Sequence, residues 1–274
     1  MSFENKVVLI TGGSRGIGKS IAIKLALAGA KIAIVGKTTT PHPKLEGTIY
    51  TAAKDIEAVG KHAVLAIPGD IRFEDQIEQI VQSTVMHFGG IDILINNASA
   101  IALTNSLDTE PKKWDLMHDI NVRGTFFMSR ACIPHLKSAD NPHILSLSPP
   151  LNLDPQWFSK HLAYTMSKYG MSMITKGLAE ELKADRIAVN SLWPQTTIAT
   201  AAVQNLLGGD FIVQRSRSAA IVADAAYHIL QQPSFECSGN FFIDEQVLKE
   251  QGVQDFSMYA VNPDQKLMTD LFID

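Results

Sequence analysis

Tyr164 and Lys168 place a phenol and an amine four residues apart in the segment YTMSK. If that segment is helical, both side chains lie on one face of the helix, one turn apart. A close ammonium favours the phenolate and lowers the pKa of a phenol, by roughly one to three units for a partly desolvated pair. That change would bring the hydroxyl toward the range useful for general acid or base chemistry. Many ordinary solvent-facing helices carry the same spacing, so the interpretation depends on the rest of the chain.

The rest of the chain alternates between short apolar, β-branched runs and amphipathic segments. Because the runs are continuous rather than alternating in polarity, they are typical of strands buried on both faces of a parallel sheet. The pattern predicts an α/β fold, namely a doubly wound, mostly parallel, seven-stranded sheet of the Rossmann type with helices on both faces. The predicted strands cover residues 6–10, 31–35, 63–67, 91–95, 143–147, 187–192 and 240–243.

Two stretches interrupt this alternation. The prolines of residues 38–44 predict a loop. Residues 201–218 are irregular and contain both glycine and arginine. Because the second stretch lies where a cover over a binding site would be useful, we expect a substrate lid at residues 199–218.

The composition limits the classes of protein to which the chain can belong. Its 274 residues, 46% of them hydrophobic, can bury a substantial core, and we expect a single domain over residues 1–274. A net charge of −4 argues against a nucleic-acid-binding surface. Cys132 and Cys237 suggest neither a disulfide framework nor a bound metal. No signal, transit, peroxisomal or membrane-spanning sequence is apparent, so we expect a cytoplasmic location.

A glycine-rich turn follows the first predicted strand and precedes a helical stretch at residues 19–28. Glycines here would let the backbone turn sharply and approach a pyrophosphate, whose charge would meet the amides at the start of the helix. A purely structural turn is the alternative. The strand before it and the helix after it favour dinucleotide binding, and the residues expected to bind the cofactor are Gly12, Ser14, Arg15, Gly16, Ile17 and Gly18.

The TGxxxGxG and YxxxK spacings together resemble the short-chain dehydrogenase/reductase superfamily of NAD(P)-dependent oxidoreductases, over nearly the whole chain. The loop near residue 40, the SPP segment and the WP segment most resemble the hydroxysteroid dehydrogenase-like 2 branch, of which this chain would be the reductase domain. The resemblance implies an enzyme that transfers a hydride between a nicotinamide and an alcohol or carbonyl substrate.

Several residues acquire expected roles through this resemblance. Asn97 and Ala98, in the turn NNAS, would pack against the adenosine half of the cofactor. Asp70 would accept a hydrogen bond from the adenine amino group, beside the backbone amide of Ile71. Asn121 corresponds to the family asparagine that kinks a central helix and helps to hold a water linked to the catalytic lysine. Taken alone, Asp70 could equally be a helix cap.

The end of the second predicted strand bears on the choice of cofactor. NAD-preferring members of the family usually carry an acidic residue there. Here the strand ends with Gly36 and Lys37, and Arg15 stands in the glycine-rich turn. Two cations could converge on the 2′-phosphate of NADP, which predicts that NADP(H) is preferred over NAD(H). The alternative is that both are solvated surface cations.

The main departure from the family concerns its catalytic serine. The resemblance places that serine just after the fifth strand, where this chain has Ser148 and then Pro149 at the usual position. We expect Ser148 to orient the substrate carbonyl, because the Pro-Pro turn could rotate it inward; Ser146 lies further back. If Ser148 fails, the contribution of one hydrogen-bond donor, roughly 3 kcal/mol, must come from elsewhere or is missing.

A second departure follows the sixth strand, where WPQTTIAT replaces the family's usual Pro-Gly. The resemblance makes Pro194 and the backbone of Ile198 the expected contacts to the nicotinamide carboxamide. Thr200 would donate its hydroxyl to the carboxamide or to a phosphate.

The resemblance also assigns the catalytic steps. Tyr164 would exchange a proton with the substrate oxygen, Lys168 would stabilise the phenolate and bind the nicotinamide ribose, and Asn121 would return protons through water. We expect an apolar pocket for an aliphatic, acyl or steroid-like substrate, although the same side chains could simply form core or a subunit interface. The predicted lining is Leu103, Leu151, Leu153, Trp157, Phe158 and residues 201–218.

Two functional classes remain open. The first is an NADP(H)-dependent oxidoreductase acting on a small-molecule alcohol or carbonyl. The second is a dinucleotide-binding protein with little turnover, such as a sensor or scaffold, which the proline at position 149 motivates. Members of the family are commonly dimers or tetramers, so we expect a homo-oligomer that associates through residues 114–135 and 169–183.

Overall fold

The computed structural model describes residues 2–41 and 47–274. Within these residues, seven strands form one sheet in which every neighbouring pair is parallel. The strands are β1 (Val7–Thr11), β2 (Lys31–Gly36), β3 (Leu65–Pro68), β4 (Ile93–Asn96), β5 (His143–Ser146), β6 (Ala188–Trp193) and β7 (Phe241–Ile243). The predicted doubly wound parallel sheet is confirmed, and each strand begins and ends within two residues of a predicted one.

The order across the sheet is β3-β2-β1-β4-β5-β6-β7. The chain first builds outward from β1 to β3, then returns to place β4 on the other side of β1. This reversal creates a switch point between β1 and β4. Open α/β sheets bind their ligands beyond the carboxyl ends of the strands at such a point.

Helices connect the strands on both faces of the sheet. They are α1 (Gly16–Leu27), α2 (Ile49–Glu57), α3 (Glu74–Phe88), α4 (Pro111–Met117), α5 (Thr125–Leu136), α6 (Gln156–Ser159), α7 (Leu162–Glu181), α8 (Gly209–Val213), α9 (Ala220–Leu230) and α10 (Asp244–Glu250). Short 3₁₀ turns lie at Lys183–Asp185 and Ser257–Tyr259.

The strands are continuous apolar runs because both faces of the sheet are covered. Val8, Ile10 and Ile34 belong to a buried cluster with α1, α2, α9 and α10. Leu9 and Val35, which point the other way, belong to a second buried cluster with α3, α5 and α7. Successive strand residues therefore serve opposite layers, which explains the absence of polar alternation in the sequence.

A π-helical stretch, His118–Gly124, joins α4 to α5 and has Asn121 at its centre. Such stretches are uncommon and often occur at functional sites. The irregularity lies where the sequence predicts a kink at Asn121. A second π-helical stretch, Val203–Leu207, precedes α8 within the segment predicted to be a lid.

Two further expectations concern the loop at residues 38–44 and membrane-spanning helices. The predicted loop at 38–44 extends into residues 42–46, which lie outside the described residues, and its described part contains neither helix nor strand. None of the helices within 2–41 and 47–274 combines the length and apolar character that crossing a bilayer would demand.

Candidate active site

A cleft of two adjoining parts lies at the carboxyl edge of the sheet. The glycine-loop cavity, of about 580 Å³, is lined by the segments that follow β1, β2 and β3, from Gly12 to Asp70. The tyrosine cavity, of about 300 Å³, is lined by Tyr164 and Lys168 together with the segment that follows β6. Their linings share Ile17 and Asn97, so one elongated ligand can extend from one part into the other.

Backbone rather than side chains forms the wall of the glycine-loop cavity at the start of α1. Gly12 and Gly16 have φ angles of 69° and 54°, which side-chain-bearing residues rarely adopt. A Cβ on Gly12 would lie 2.9 Å from the Cα of Ala98. Gly18 does not line the cavity, but a Cβ there would lie 2.6 Å from the Gly12 carbonyl oxygen. The predicted turn therefore depends on these glycines for its shape.

The turn after β4 is tied to this glycine-rich turn. The Asn97 side-chain amide donates to the carbonyl oxygens of Thr11 and Gly12, each at 3.0 Å. The backbone amides of Asn97 and Ala98 both donate to the Thr11 hydroxyl, each at 3.1 Å. The two connections at the switch point are thus held as one unit.

The outer end of the glycine-loop cavity is rich in charge. Lys37 and Arg15 both line it, and the Lys37 amine lies 3.3 Å from the Asp70 carboxylate. Arg72 grips the same carboxylate through Nε at 3.0 Å and Nη2 at 2.6 Å. Burial opposes the effect, but Arg72 and then Lys37 hold the pKa of Asp70 below its ordinary value. Asp70 is not the N-cap of α3, which is Phe73, but its carboxylate accepts from the Arg72 amide at 3.1 Å in the turn that leads into this helix.

Most residues predicted to bind the cofactor meet in this cavity. Those that line it are Gly12, Ser14, Arg15, Gly16, Ile17, Lys37, Asp70, Ile71, Asn97, Ala98 and Thr200. The sequence interpretation missed Ser99 and Leu206, which also line it. Ser99 is the last residue of the predicted NNAS turn, and Leu206 belongs to the predicted lid, so both carried a local signal.

Tyr164 and Lys168 lie one turn apart on α7, and both line the tyrosine cavity. The Lys168 amine donates to the Leu147 carbonyl oxygen at 2.8 Å, at the end of β5. It also lies 5.1 Å from the centre of the Trp193 ring. The tyrosine hydroxyl has no hydrogen-bond partner among the described residues, and it is therefore available to a ligand.

The electrostatic surroundings of this pair differ from the sequence expectation. Burial, followed by the charge of Asp270, raises the pKa of Tyr164 instead of lowering it. Burial also lowers the pKa of Lys168 to about 7, while Asp270 acts in the opposite direction. The expected lowering of the pKa of the phenol is therefore not found, because burial dominates and the charge that acts on Tyr164 is that of Asp270.

Asn121 is fully buried and lines neither cavity. Its side chain accepts from the Ala100 amide at 2.8 Å and donates to the Ala100 carbonyl at 2.9 Å. It also donates to the Ser167 hydroxyl at 2.9 Å. Asn121 therefore clamps the turn after β4 to the residue that precedes Lys168, which is a positioning contact.

Ser148 does not match its expected place. Its hydroxyl lies 2.7 Å from that of Ser191 on β6, which in turn donates to Thr175 on α7. Ser148 is not among the described residues that line the cleft, whereas Leu147 is. The carbonyl of Pro149 accepts from the Ser172 hydroxyl. The Pro-Pro turn thus leaves Ser148 facing the protein interior, because buried hydroxyl partners are available there.

The segment after β6 lies in the same cavity as Tyr164 and Lys168. Pro194, Ile198 and Thr200 all line the tyrosine cavity. Thr200 also lines the glycine-loop cavity, so it stands where the two parts meet. The segment is held in place by Asp244 at the start of α10, whose carboxylate accepts from the Gln195 amide at 2.8 Å.

The wall of the tyrosine cavity differs from the predicted substrate pocket. Leu103 and, from the predicted lid, Val203, Leu207 and Ile212 do line it. Leu151, Trp157 and Phe158 pack instead in a buried cluster around Phe272, and Leu153 is exposed. The C-terminal segment, defined as residues 268–272, supplies the missing wall through residues 268–271. No motif in the sequence signals that placement.

The cleft fits a dinucleotide. A backbone wall at Gly12 and Gly16 admits a phosphate closely, and amides at the start of α1 can meet its charge. Cations stand at one end of the cleft, while Tyr164 and Lys168 stand at the other. That arrangement suits an elongated dinucleotide that extends through both cavities.

Comparisons with known proteins agree with this geometry. A family model described as short chain dehydrogenase matches residues 6–208. Hydroxysteroid dehydrogenase-like protein 2 from Homo sapiens is 56% identical over 97% of this chain, which spans 63% of that relative's own length.

Solved structures extend the likeness to the whole chain. A candidate dehydrogenase from Xanthomonas campestris is 47% identical, covers 100% of both chains and has a TM-score of 0.96. A short chain dehydrogenase from Mycobacterium thermoresistibile is 52% identical, with a TM-score of 0.94 over 100% of this chain and 96% of that one. The chain belongs to the short-chain dehydrogenase/reductase family of oxidoreductases, which act on CH–OH and C=O groups, and resembles its hydroxysteroid dehydrogenase-like 2 branch.

Proposed function

We propose that this protein is an NADP(H)-dependent oxidoreductase that interconverts an alcohol and a carbonyl compound. One observation carries the proposal: Tyr164 and Lys168 face a cavity that is continuous with the glycine-lined dinucleotide cleft. A general acid must lie within reach of the substrate oxygen. The cleft brings an unpartnered phenol to the place where the reacting end of a dinucleotide would lie.

The chain's own residues would act as follows in the direction of carbonyl reduction. When bound, a nicotinamide cofactor would supply the hydride chemistry. Tyr164 gives its hydroxyl proton to the oxygen that becomes the alcohol. Lys168 stabilises the resulting phenolate and binds the nicotinamide ribose, and Asn121 keeps the lysine's helix in register with the turn after β4. Ser148 is left out of this scheme because its hydroxyl faces Ser191.

The preference for NADP(H) rests on charge. Lys37 and Arg15 line the outer end of the glycine-loop cavity, where a 2′-phosphate would be placed. Arg72 already holds Asp70 with two nitrogen atoms, so Asp70 does not depend on Lys37 for a partner. Lys37 can therefore turn to a phosphate with little loss.

The substrate would be apolar. Leucine, isoleucine and valine side chains from the lid segment and the turn after β4 surround Tyr164. An aliphatic, acyl or steroid-like group fits such a wall, and residues 199–218 would close over it. Exposed Leu206 and Phe211 on this segment support a moving cover, because contact with a ligand would bury them.

We also propose a homo-oligomer and a reducing compartment. Exposed Phe126 on α5 and Met173 on α7 lie within the expected association faces, 114–135 and 169–183. Cys132 and Cys237 are both unpaired and buried, as suits a reducing environment.

The test is a screen for NADPH consumption with a panel of medium-chain ketones and aldehydes, repeated with NADH. We expect turnover with at least one panel member and a higher kcat/KM with NADPH. The second candidate, a dinucleotide-binding protein without turnover, is favoured by the inward-facing Ser148. That candidate predicts NADPH binding in titrations and no consumption with any panel member.

A further inference from the structure

Asp270 is an ionisable residue in the tyrosine cavity that the family resemblance does not assign. Among the described residues that line this cavity, the ionisable ones are Tyr164, Lys168 and Asp270. Asp270 belongs to the C-terminal segment rather than to a strand end or a helix. A carboxyl group beside the proposed acid and its lysine would act directly on the chemistry.

The C-terminal segment is held firmly against the connection after β6. The Thr197 amide donates to the Met268 carbonyl at 3.0 Å, and the Asp270 amide donates to the Gln195 carbonyl at 3.1 Å. The Trp193 indole donates to the Leu271 carbonyl at 2.8 Å. These contacts on both sides of Asp270 fix its backbone, so its carboxyl group is preorganised.

Phe272 anchors the end of the same segment. Its buried ring lies among the rings of Trp157, His161, Tyr164, Tyr169 and Trp193, with centroid distances from 5.2 to 6.2 Å. The anchor residue thus touches the same tyrosine that the proposed mechanism uses. Packing of this aromatic cluster couples the position of the C-terminal segment to that of α7.

The Asp270 carboxyl is only partly satisfied within the protein. One oxygen accepts from the Leu271 amide at 2.7 Å, and the other has no partner among the described residues. Burial raises the pKa of Asp270 to about 7; Asp244 also raises it, while the Leu271 amide and Lys168 lower it. The protonated form, which can donate a hydrogen bond, is therefore populated near neutral pH.

The residues that follow β5 offer no hydroxyl group that could donate a hydrogen bond to the substrate oxygen. The Ser148 hydroxyl faces Ser191, and Pro149 has no hydroxyl. We propose that Asp270 is a catalytic residue whose protonated carboxyl group donates a hydrogen bond to the substrate carbonyl oxygen beside Tyr164. The proposal rests on the reductase function proposed above. The carboxyl keeps its own proton throughout, because the proton that forms the new O–H bond comes from the Tyr164 hydroxyl.

Substitutions that differ in donor ability test the proposal. Asp270→Ala removes the donor, and we expect kcat for NADPH-dependent reduction of the best ketone or aldehyde of the panel to fall by about 100-fold or more. Asp270→Asn keeps an N–H donor of similar size, so we expect it to recover at least about a tenth of the wild-type kcat. Asp264→Asn, an exposed carboxylate earlier in the same tail, is the matched control and should change kcat less than about twofold.

A pH profile separates a catalytic role from a structural one. Because the proposed donor is the protonated carboxyl, wild-type kcat for reduction should fall as the pH rises through about 7. The groups that act on Asp270 are Tyr164 and Lys168 from α7 and Asp244 from α10. Lys168, whose pKa is also about 7, titrates in both proteins, whereas Asp270→Asn has no side-chain proton to lose at position 270. The decline of kcat with pH should therefore be shallower in Asp270→Asn than in wild type, and an equally steep decline in the variant would overturn the proposal.

Binding and turnover together distinguish the possible failures. NADPH affinity should stay within about threefold of wild type in all three variants. If Asp270→Ala keeps kcat within about threefold of wild type, the role of Asp270 is disproved while the proposed reductase function stands. If both Asp270 variants lose turnover and NADPH affinity equally, the role is structural and the proposal fails. If the wild type binds NADPH but reduces nothing in the panel, the reductase function fails, and this inference fails with it.

Discussion

At Tyr164 and Lys168, burial has more influence on the pKa of each side chain than the neighbouring charge of Asp270 has. The sequence expectation considered the pair alone and therefore predicted an acidic phenol. In the folded chain, burial raises the pKa of Tyr164 and lowers that of Lys168 to about 7. The difference comes from Trp193 and the C-terminal segment, which cover the pair and are distant from it in sequence. Such cover cannot be seen in local spacing.

Lys37 provides the clearest test of the cofactor preference. Lys37→Glu removes a cation from the outer end of the cleft and adds a negative charge beside Asp70. We expect the affinity for NADPH to fall by roughly 10- to 100-fold, as for loss of a charge-assisted hydrogen bond. The affinity for NADH should fall by less than about threefold. Isothermal titration of both cofactors measures the difference.

Lys176→Glu is the matched control for this experiment. It makes the same charge change at an exposed position of α7 that does not line the cleft. Both affinities should be unchanged in the control. Equal losses of NADPH and NADH affinity in Lys37→Glu would contradict the role of Lys37 in recognising the 2′-phosphate.

The buried carboxyl group of Asp244 should make the stability of the protein depend on pH. Burial raises its pKa to about 6, although the Gln195 and Glu245 amides oppose the shift. The folded state therefore holds this proton more tightly than the unfolded state, and stability falls as the pH rises from about 4 through about 6. Asp244→Asn retains an acceptor oxygen for both amides but does not titrate. Between pH 4 and 7, wild type should lose about 2 to 3 kcal/mol more unfolding free energy than the variant.

Urea unfolding at several pH values measures this effect. Asp270, whose pKa is also raised, contributes to the pH dependence of both proteins. Because the charge of Asp244 is one of the causes of the raised pKa of Asp270, the comparison of wild type with Asp244→Asn measures Asp244 together with its effect on Asp270. Parallel stability curves for the two proteins would contradict the prediction.

At the scale of elements, the sequence predicted the strands well because their signal is local. Continuous β-branched runs such as Val7–Thr11 and Ala188–Trp193 are buried on both faces, as their composition indicates. The glycine-rich turn could also be predicted, since Gly12 and Gly16 adopt backbone angles that few other residues tolerate. The orientation of the Ser148 hydroxyl could not be predicted, because it depends on Ser191 and Thr175, which only the tertiary structure brings near Ser148.

At this scale, the main feature that the sequence did not predict is the position of the C-terminal segment. It forms neither a strand of the sheet nor a helix, and it carries no periodic pattern. Its position comes from an aromatic cluster whose members are spread over residues 157–272. Trp157 and Phe158 were predicted to line the substrate pocket and do not, because they pack against Phe272 and Tyr169, respectively.

Phe272→Ala tests the anchoring of this segment. Removing a buried ring should reduce the free energy of unfolding by about 3 to 5 kcal/mol. The C-terminal segment should also loosen, so hydrogen exchange of the Asp270 amide should become faster. Phe235→Ala, at a 63% exposed position, is the control and should cost less than about 0.5 kcal/mol. A loss as small as the control's would show that Phe272 does not anchor the segment.

At the scale of the whole molecule, the site joins the two halves of the sheet. The first half supplies the glycine-rich turn and the residues after β2 and β3, and the second supplies α7 and the segment after β6. Asn97 ties the halves together at the switch point through Thr11 and Gly12. Only the complete sheet brings the glycine-loop cavity and the Tyr164–Lys168 pair into one continuous space.

Single-turnover kinetics tests the central claim most directly. Wild type loaded with NADPH and mixed with its best carbonyl substrate should oxidise the cofactor in one exponential phase. Tyr164→Phe should slow that phase by roughly 100- to 10,000-fold while leaving NADPH affinity unchanged. Tyr169→Phe, five residues further along α7 and outside the cleft, should react like wild type. A Tyr164→Phe protein that consumes NADPH at the wild-type rate would contradict the account.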